Sequence, residues 1–171
     1  MKIISTPKPT IKQLKAIPIF APLNDEELSQ ILEIGTTEFF EPHASIVIEG
    51  ELSWGIHFIL DGQVGIYKTN KITGEVYEMG DLRTGGYFGE LSLVDENSRS
   101  ATVIALVETV TYYISKDIFF KFLEDYLDTK IKFLSGSVRT LAALVRELDD
   151  NYLISQYQLW DRVFSKDGSN R

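Results

Sequence analysis

The 171-residue chain has no cysteine and only two histidines. The missing thiols remove disulfides, thiol nucleophiles and thiolate metal sites together, and leave the compartment open on redox grounds. His43 and His57 lie fourteen positions apart with no third or fourth ligand in a recognisable pattern. No metal site of the cupin kind is therefore expected, and both are read as ordinary surface or strand histidines. Positive charge is also short: 17 Lys and Arg against 25 Asp and Glu give a net charge of −8. That is the wrong sign for non-specific nucleic-acid binding, whose affinity comes from cations displacing phosphate counterions. Lys2, Lys8, Lys12 and Lys15 make only a diluted basic cluster, read as a solvated N-terminal face. No run approaches the ~18 apolar residues of a membrane span, and the start Met1-Lys2-Ile3-Ile4 is too short in apolar residues for a signal peptide. No membrane contact and a cytoplasmic location are expected. There is no Ser-His-Asp order, Walker-type phosphate loop or pair of catalytic carboxylates, so neither an enzyme nor a cofactor is expected.

At 44% hydrophobic, the chain has material for one core and reads as a single domain over residues 1–171. Residues 1–35 form an N-terminal helical segment carrying Pro7, Pro9, Pro18 and Pro22. Asn24 before Asp25-Glu26-Glu27 is a good N-cap with acids in the first turn, which predicts a helix over Asp25–Glu33 stopped at Gly35. From residue 36 to 115 the period becomes two, with strands predicted at Thr37–Glu41, Ser45–Glu49, Ile56–Leu60, Gln63–Lys68, Glu75–Leu82, Thr102–Val107 and Thr109–Ile114. Turns fall at Asp61-Gly62 and Thr73-Gly74. Many short strands predict an antiparallel sandwich or roll. Residues 116–165 turn helical, with Ser115 as N-cap and Ile118, Phe119, Phe122 and Leu123 as the first apolar face. Leu127, Ile131, Leu134, Val138, Leu141, Val145, Leu148 and Tyr152 then follow at alternating spacings of four and three, an a/d seam. A long helix over about 128–150 is expected, weakened at Gly136 and ended or bent at Asp149-Asp150-Asn151 before a last piece through Trp160 and Phe164. The seam suits either packing on the chain's own roll or a homodimer.

The most informative stretch is Gly85-Gly86-Tyr87-Phe88-Gly89-Glu90-Leu91-Ser92-Leu93, followed by Asn97-Ser98-Arg99-Ser100-Ala101-Thr102-Val103. It resembles the phosphate-binding cassette of the cyclic-nucleotide-binding domain family, Gly-x-x-Phe-Gly-Glu-Leu/Ile-Ala/Ser-Leu, a loop, then Arg-Ala/Thr/Ser-Ala. Ile17-Pro18-Ile19-Phe20-x-x-Leu23 and Gly50-Glu51-x-x-x-Gly55-x-x-Phe58-Ile59-Leu60-x-Gly62-x-Val64 also match. The resemblance implies an α+β fold, an antiparallel jelly-roll-like β-roll flanked by N-terminal helices and a long C-terminal helix. The residue chemistry agrees: a guanidinium suits a cyclic phosphodiester, a carboxylate suits a ribose hydroxyl, and a glycine lets backbone approach closely.

By resemblance, Glu90 accepts a hydrogen bond from the ribose 2′-hydroxyl and Arg99 pairs with the cyclic phosphate. Phe88, Gly89, Leu91, Ser92, Ser100 and Ala101 supply close or backbone contacts. Ser98 replaces a frequent Pro and Gly86 a frequent Asp, which loosens the loop, while Asp95 and Glu96 lie near Arg99 and imply weak affinity. The cover over the purine is expected from the long helix, with Ala142, Val145 and Arg146 as candidates and Arg146 stacking on or bonding the base. Tyr152, Tyr157 and Trp160 read rather as core or dimer contacts. Ser100 suits cyclic AMP or cyclic GMP, with cyclic AMP favoured. The expected function is a standalone cyclic-nucleotide sensor that signals through its C-terminal helix to an unknown effector, with no direct nucleic-acid binding. The alternative is a degenerate, non-binding dimerisation or scaffold module.

Overall fold

The computed structural model describes residues 8–52, 55–90 and 98–164. Helix α1 (Ile11–Lys15), a 3-10 turn at Pro18–Phe20 and helix α2 (Asp25–Ile34) open the described chain. Both helices begin on reciprocal caps: Thr10 with Gln13, and Asn24 with Glu27. In the second, Asn24 Oδ1 accepts from the Glu27 N–H at 2.9 Å and Glu27 Oε2 accepts from the Asn24 N–H at 2.7 Å.

Eight strands follow among the described residues: β1 (Thr36–Phe40), β2 (Ser45–Val47), β3 (Gly55–Asp61), β4 (Gln63–Thr69), β5 (Val76–Arg83), β6 (Tyr87–Phe88), β7 (Thr102–Ala105) and β8 (Thr109–Ser115). They form two antiparallel four-stranded sheets, ordered β1-β8-β3-β6 and β2-β7-β4-β5. The expected antiparallel β-roll with flanking helices is present. Strand β6 is an addition to the expected set, since two residues carry no readable alternation. Strand β7 ends at Ala105, short of Val107, because the Leu106 N–H turns to the Gln63 carbonyl.

The main core joins the helices to the first sheet. Phe20 lies 4.6 Å from Phe58 between ring centroids, and Phe119 meets Phe133 edge-on at 4.8 Å. Tyr112 donates its hydroxyl to the Ile31 carbonyl at 2.7 Å and accepts the Gly35 N–H at 2.8 Å, which ties the end of α2 to β8. A smaller core of Ile59, Val64, Phe88 and Val103 fills the roll.

Helix α3 (Lys116–Asp125) leads into α4, which runs unbroken over Leu127–Phe164. Its 38 residues make about 57 Å of helix at 1.5 Å per residue. The expected end or bend at Asp149-Asp150-Asn151 is absent: those side chains are exposed, and no Pro or Gly follows Gly136 in the helix. Gly136 is a contact position, because a Cβ there would sit 2.7 Å from the Ile19 carbonyl oxygen. It lets α4 lie directly on the 3-10 turn.

Glu27 anchors α4 from α2. Lys132 Nζ donates to Oε1 at 2.8 Å and to Oε2 at 2.9 Å, and the Thr129 hydroxyl donates to Oε1 at 3.2 Å. Burial raises the Glu27 carboxyl, but the bonds from Lys132, the Asn24 N–H and Thr129 outweigh it and hold the group below its ordinary 4.5. A depressed carboxylate stabilises the fold above its unfolded value and loses that contribution as pH falls through the folded one. Lys132→Met is expected to cost about 1–3 kcal/mol at neutral pH, less than a fully buried pair because Lys132 is 38% exposed. Urea unfolding against pH checks this: the difference from the parent should shrink below pH 4.5.

Among the described residues, no helix is long and apolar enough to cross a membrane.

Candidate functional site

The glycine-rich turn between β5 and β6 is fastened to β3. The Gly85 N–H donates to the Ile59 carbonyl at 2.9 Å, and the Ile59 N–H donates to the Gly86 carbonyl at 2.8 Å. This sets β6 beside β3 with His57 opposite Phe88 and delivers Gly89 and Glu90 at its end. Arg99 arrives from the other side. Its backbone N–H donates to the Glu51 carbonyl at 2.7 Å and its carbonyl accepts the Gly50 N–H at 2.9 Å.

The guanidinium then reaches back across the roll. Arg99 Nη2 donates to the Gly55 carbonyl at 2.9 Å. Arg99 Nη1 is buried and has no hydrogen-bond partner among the described residues. It lies against the bare face of Gly89, where a Cβ would fall 2.3 Å from Nη1. Gly89 also holds φ +93°, a conformation that glycine adopts without strain. Glycine is thus required here twice over, by backbone angle and by space.

Glu90 stands near this guanidinium. Burial raises its carboxyl above the ordinary range, against the backbone N–H groups of Glu90 and Gly89 and the Arg99 charge. Burial likewise lowers Arg99, with Tyr113 and Glu90 pulling the other way. No ion pair joins Glu90 to Arg99 among the described residues. A buried acceptor and a buried cationic donor thus lie near one another, and Arg99 Nη1 keeps hydrogen-bonding capacity to spare among the described residues, at a cost that a ligand can offset.

Behind Arg99 is a residue read from the sequence as ordinary. His57 is buried, stacks on Phe88 at 4.9 Å with planes 10° apart, and contacts the Tyr113 ring at 4.7 Å. Its Nδ1 lies 3.3 Å from Thr111 Oγ1 and 3.6 Å from Glu38 Oε2. Burial and then the Arg99 charge push His57 down to about 3, and burial raises Glu38. His57 is neutral at pH 7, so it packs beside Arg99 without repelling it. A histidine held low in the fold binds a proton more readily when unfolded, so stability falls as pH drops from 6.5 towards 3. His57→Gln should flatten that slope in urea midpoints measured between pH 4 and 7. An unchanged slope would show that other groups set it.

The remaining sequence candidates fall as follows. Phe88 is buried under His57, Ser100 is exposed and Ala101 half-buried just before β7. Leu91 and Ser92, and the loop acids Asp95 and Glu96, lie outside the described residues. Arg146 is exposed, with Nη1 3.5 Å from the Ala142 carbonyl on its own helix. Ser137, Thr140, Leu141 and Leu144 are among the α4 residues that share a cavity with Glu90, beside Tyr87, and Arg146 is not. Among the described residues, no cluster of three or more His, Asp or Glu could hold a metal ion.

A family model described as "Cyclic nucleotide-binding domain" matches residues 37–126. The chain is 32% identical over 139 residues to cGMP-dependent protein kinase, isozyme 1, of Drosophila melanogaster, covering 78% of this chain and 18% of that one. It is 30% identical over 115 residues to the cAMP-dependent protein kinase regulatory subunit of Yarrowia lipolytica, covering 67% of this chain and 30% of that one. The chain thus spans less than a third of either relative. Among solved structures, a cyclic nucleotide-binding domain from Methylobacillus flagellatus shares the fold, with a TM-score of 0.75 at 22% identity over 85% of each chain.

Proposed function

Because the chain belongs to the cyclic nucleotide-binding domain family, we propose that it is a sensor that binds a cyclic nucleotide between Glu90 and Arg99. The observation that carries this reading is the buried Arg99 Nη1, which has no hydrogen-bond partner among the described residues and lies against Gly89. It is a cationic donor removed from water and aimed where a singly charged phosphodiester would be held.

In this reading Arg99 keeps Nη2 on the Gly55 carbonyl, so the ligand meets a guanidinium already oriented, and Nη1 pairs with a phosphate oxygen. Glu90 accepts from the 2′-hydroxyl, and that bond and the Arg99 charge favour its ionised form against the burial that raises it. Leu91, Ser92, Ser100 and Ala101 give close contacts around the phosphate. Helix α4 covers the base, with Arg146 able to reach it once the side chain leaves the Ala142 carbonyl. Cyclic AMP is the first ligand to try and cyclic GMP the second. The signal is a shift of α4 against the roll, which requires the ligand to contact the two states differently. The role is binding, with no bond made or broken, and the effector is a protein that reads α4.

The test is thermal unfolding with each nucleotide. Ligand at a hundred times its dissociation constant adds about 2.7 kcal/mol, or roughly 5–10 °C for a chain of this size. No shift with either nucleotide at millimolar concentration, in protein shown to be folded, would overturn the reading.

A further inference from the structure

A cavity of about 330 Å³ runs beneath α4 and meets the Arg99 cradle at Glu90. Its helix wall extends from Lys130 through Phe133 and Leu134 to Leu141 and Leu144, all on one face. Those fourteen residues of rise span about 21 Å. Phe119 and Leu123 of α3 and Ile19 of the 3-10 turn form much of the other wall.

Charge gives the cavity a direction. Tyr87 faces the Thr140 hydroxyl and feels the Glu90 carboxylate, so the acidic end lies near Thr140. Lys130 lies ten residues back, about 15 Å along the helix. Its side chain has no hydrogen bond or ion pair among the described residues, and the residue is half-buried where it lines a mostly apolar slot. A half-buried cation beside apolar walls is matched by an anionic headgroup with an apolar tail.

We propose that this cavity binds a medium-length aliphatic carboxylate, with its headgroup on Lys130 and its chain running under α4 towards Thr140. Glu90 at the far end repels a carboxylate and fixes the orientation. An occupant there touches both α4 and Glu90, so a lipid-derived acid becomes a second input to the same helix. The site itself stands whether or not a nucleotide binds at Arg99.

The test is calorimetric titration of the nucleotide-free full chain with octanoate, decanoate and dodecanoate below their micelle concentrations. Each added methylene should tighten binding about fourfold, so dodecanoate should exceed octanoate by roughly two hundredfold at one site per chain. Lys130→Gln should weaken dodecanoate at least fivefold and leave 1-dodecanol unchanged. Ser137→Leu, which fills the slot from its middle, should abolish binding of both, with circular dichroism showing the parent fold. Affinity independent of chain length in the parent protein, more than one site per chain, or full binding by folded Ser137→Leu would each overturn the proposal. The chain-length series needs no variant, so it discriminates even where a mutant misfolds.

Discussion

Arg99→Ala is expected to abolish the nucleotide-dependent rise in melting temperature, raising the dissociation constant by about two to three orders of magnitude. The reasoning rests on Nη1. A hydrogen bond from a charged donor contributes about 1.5–3 kcal/mol, and the phosphate would also lose its counter-charge. Gly89→Ala should give nearly the same loss with Arg99 still in the sequence. Its Cβ would fall 2.3 Å from Nη1, and the backbone at φ +93° strains any other residue by about 1–2 kcal/mol. The pair separates position from charge: Arg99→Ala removes the guanidinium, while Gly89→Ala displaces it. Parental shifts with cyclic AMP or cyclic GMP in either folded variant would remove the phosphate from this cradle.

Much of this cradle is legible in the chain because its parts are close in sequence. Gly89, Glu90 and Arg99 lie within eleven positions, and the demands on each are local: a positive φ, a carboxylate at a strand end, a guanidinium after a loop. What supports them is not legible, because it arrives through register. Strand β3 is buried along Gly55–Leu60 with no polar alternation, so its pattern assigns His57 to neither face. Only pairing sets His57 opposite both Phe88 and Tyr113 and brings the Gly55 carbonyl to Arg99. The helix departs from expectation at two places for related reasons. Asp149-Asp150-Asn151 reads as a stop because those residues favour caps, yet on an exposed helix they cost only tenths of a kcal/mol each. Gly136 reads as a weak point because helix propensity ignores Ile19 on the facing turn. The seam from Leu127 to Tyr152 and the cavity wall from Lys130 to Leu144 share Leu134 and Leu141 but otherwise occupy neighbouring faces. One helix therefore serves its own roll while leaving a second stripe open to water.

That open stripe leads to the other large effect. Every residue of α4 from Ala143 to Arg162 is exposed, with Val145 at 55%, Leu148 at 57% and Tyr152 at 63%. A helical segment of this length is marginal in water by itself and draws its stability from burying an apolar face. The homodimer that the sequence offers for this seam would supply that burial, since the four-three spacing suits a two-stranded seam. Each leucine covered is worth about 1.5–3 kcal/mol. Light scattering of the parent should give twice the chain mass of 19.4 kDa, and the double variant Leu148→Asp/Tyr152→Asp should give 19.4 kDa. Four carboxylates facing one another across an apolar seam cannot all be desolvated, and neither residue lines the Glu90 cavity, so the nucleotide shift should survive. Far-UV circular dichroism should fall as the distal half of α4 frays. A parent chain at 19.4 kDa, or a double variant still at twice that mass, would remove the second copy from this face.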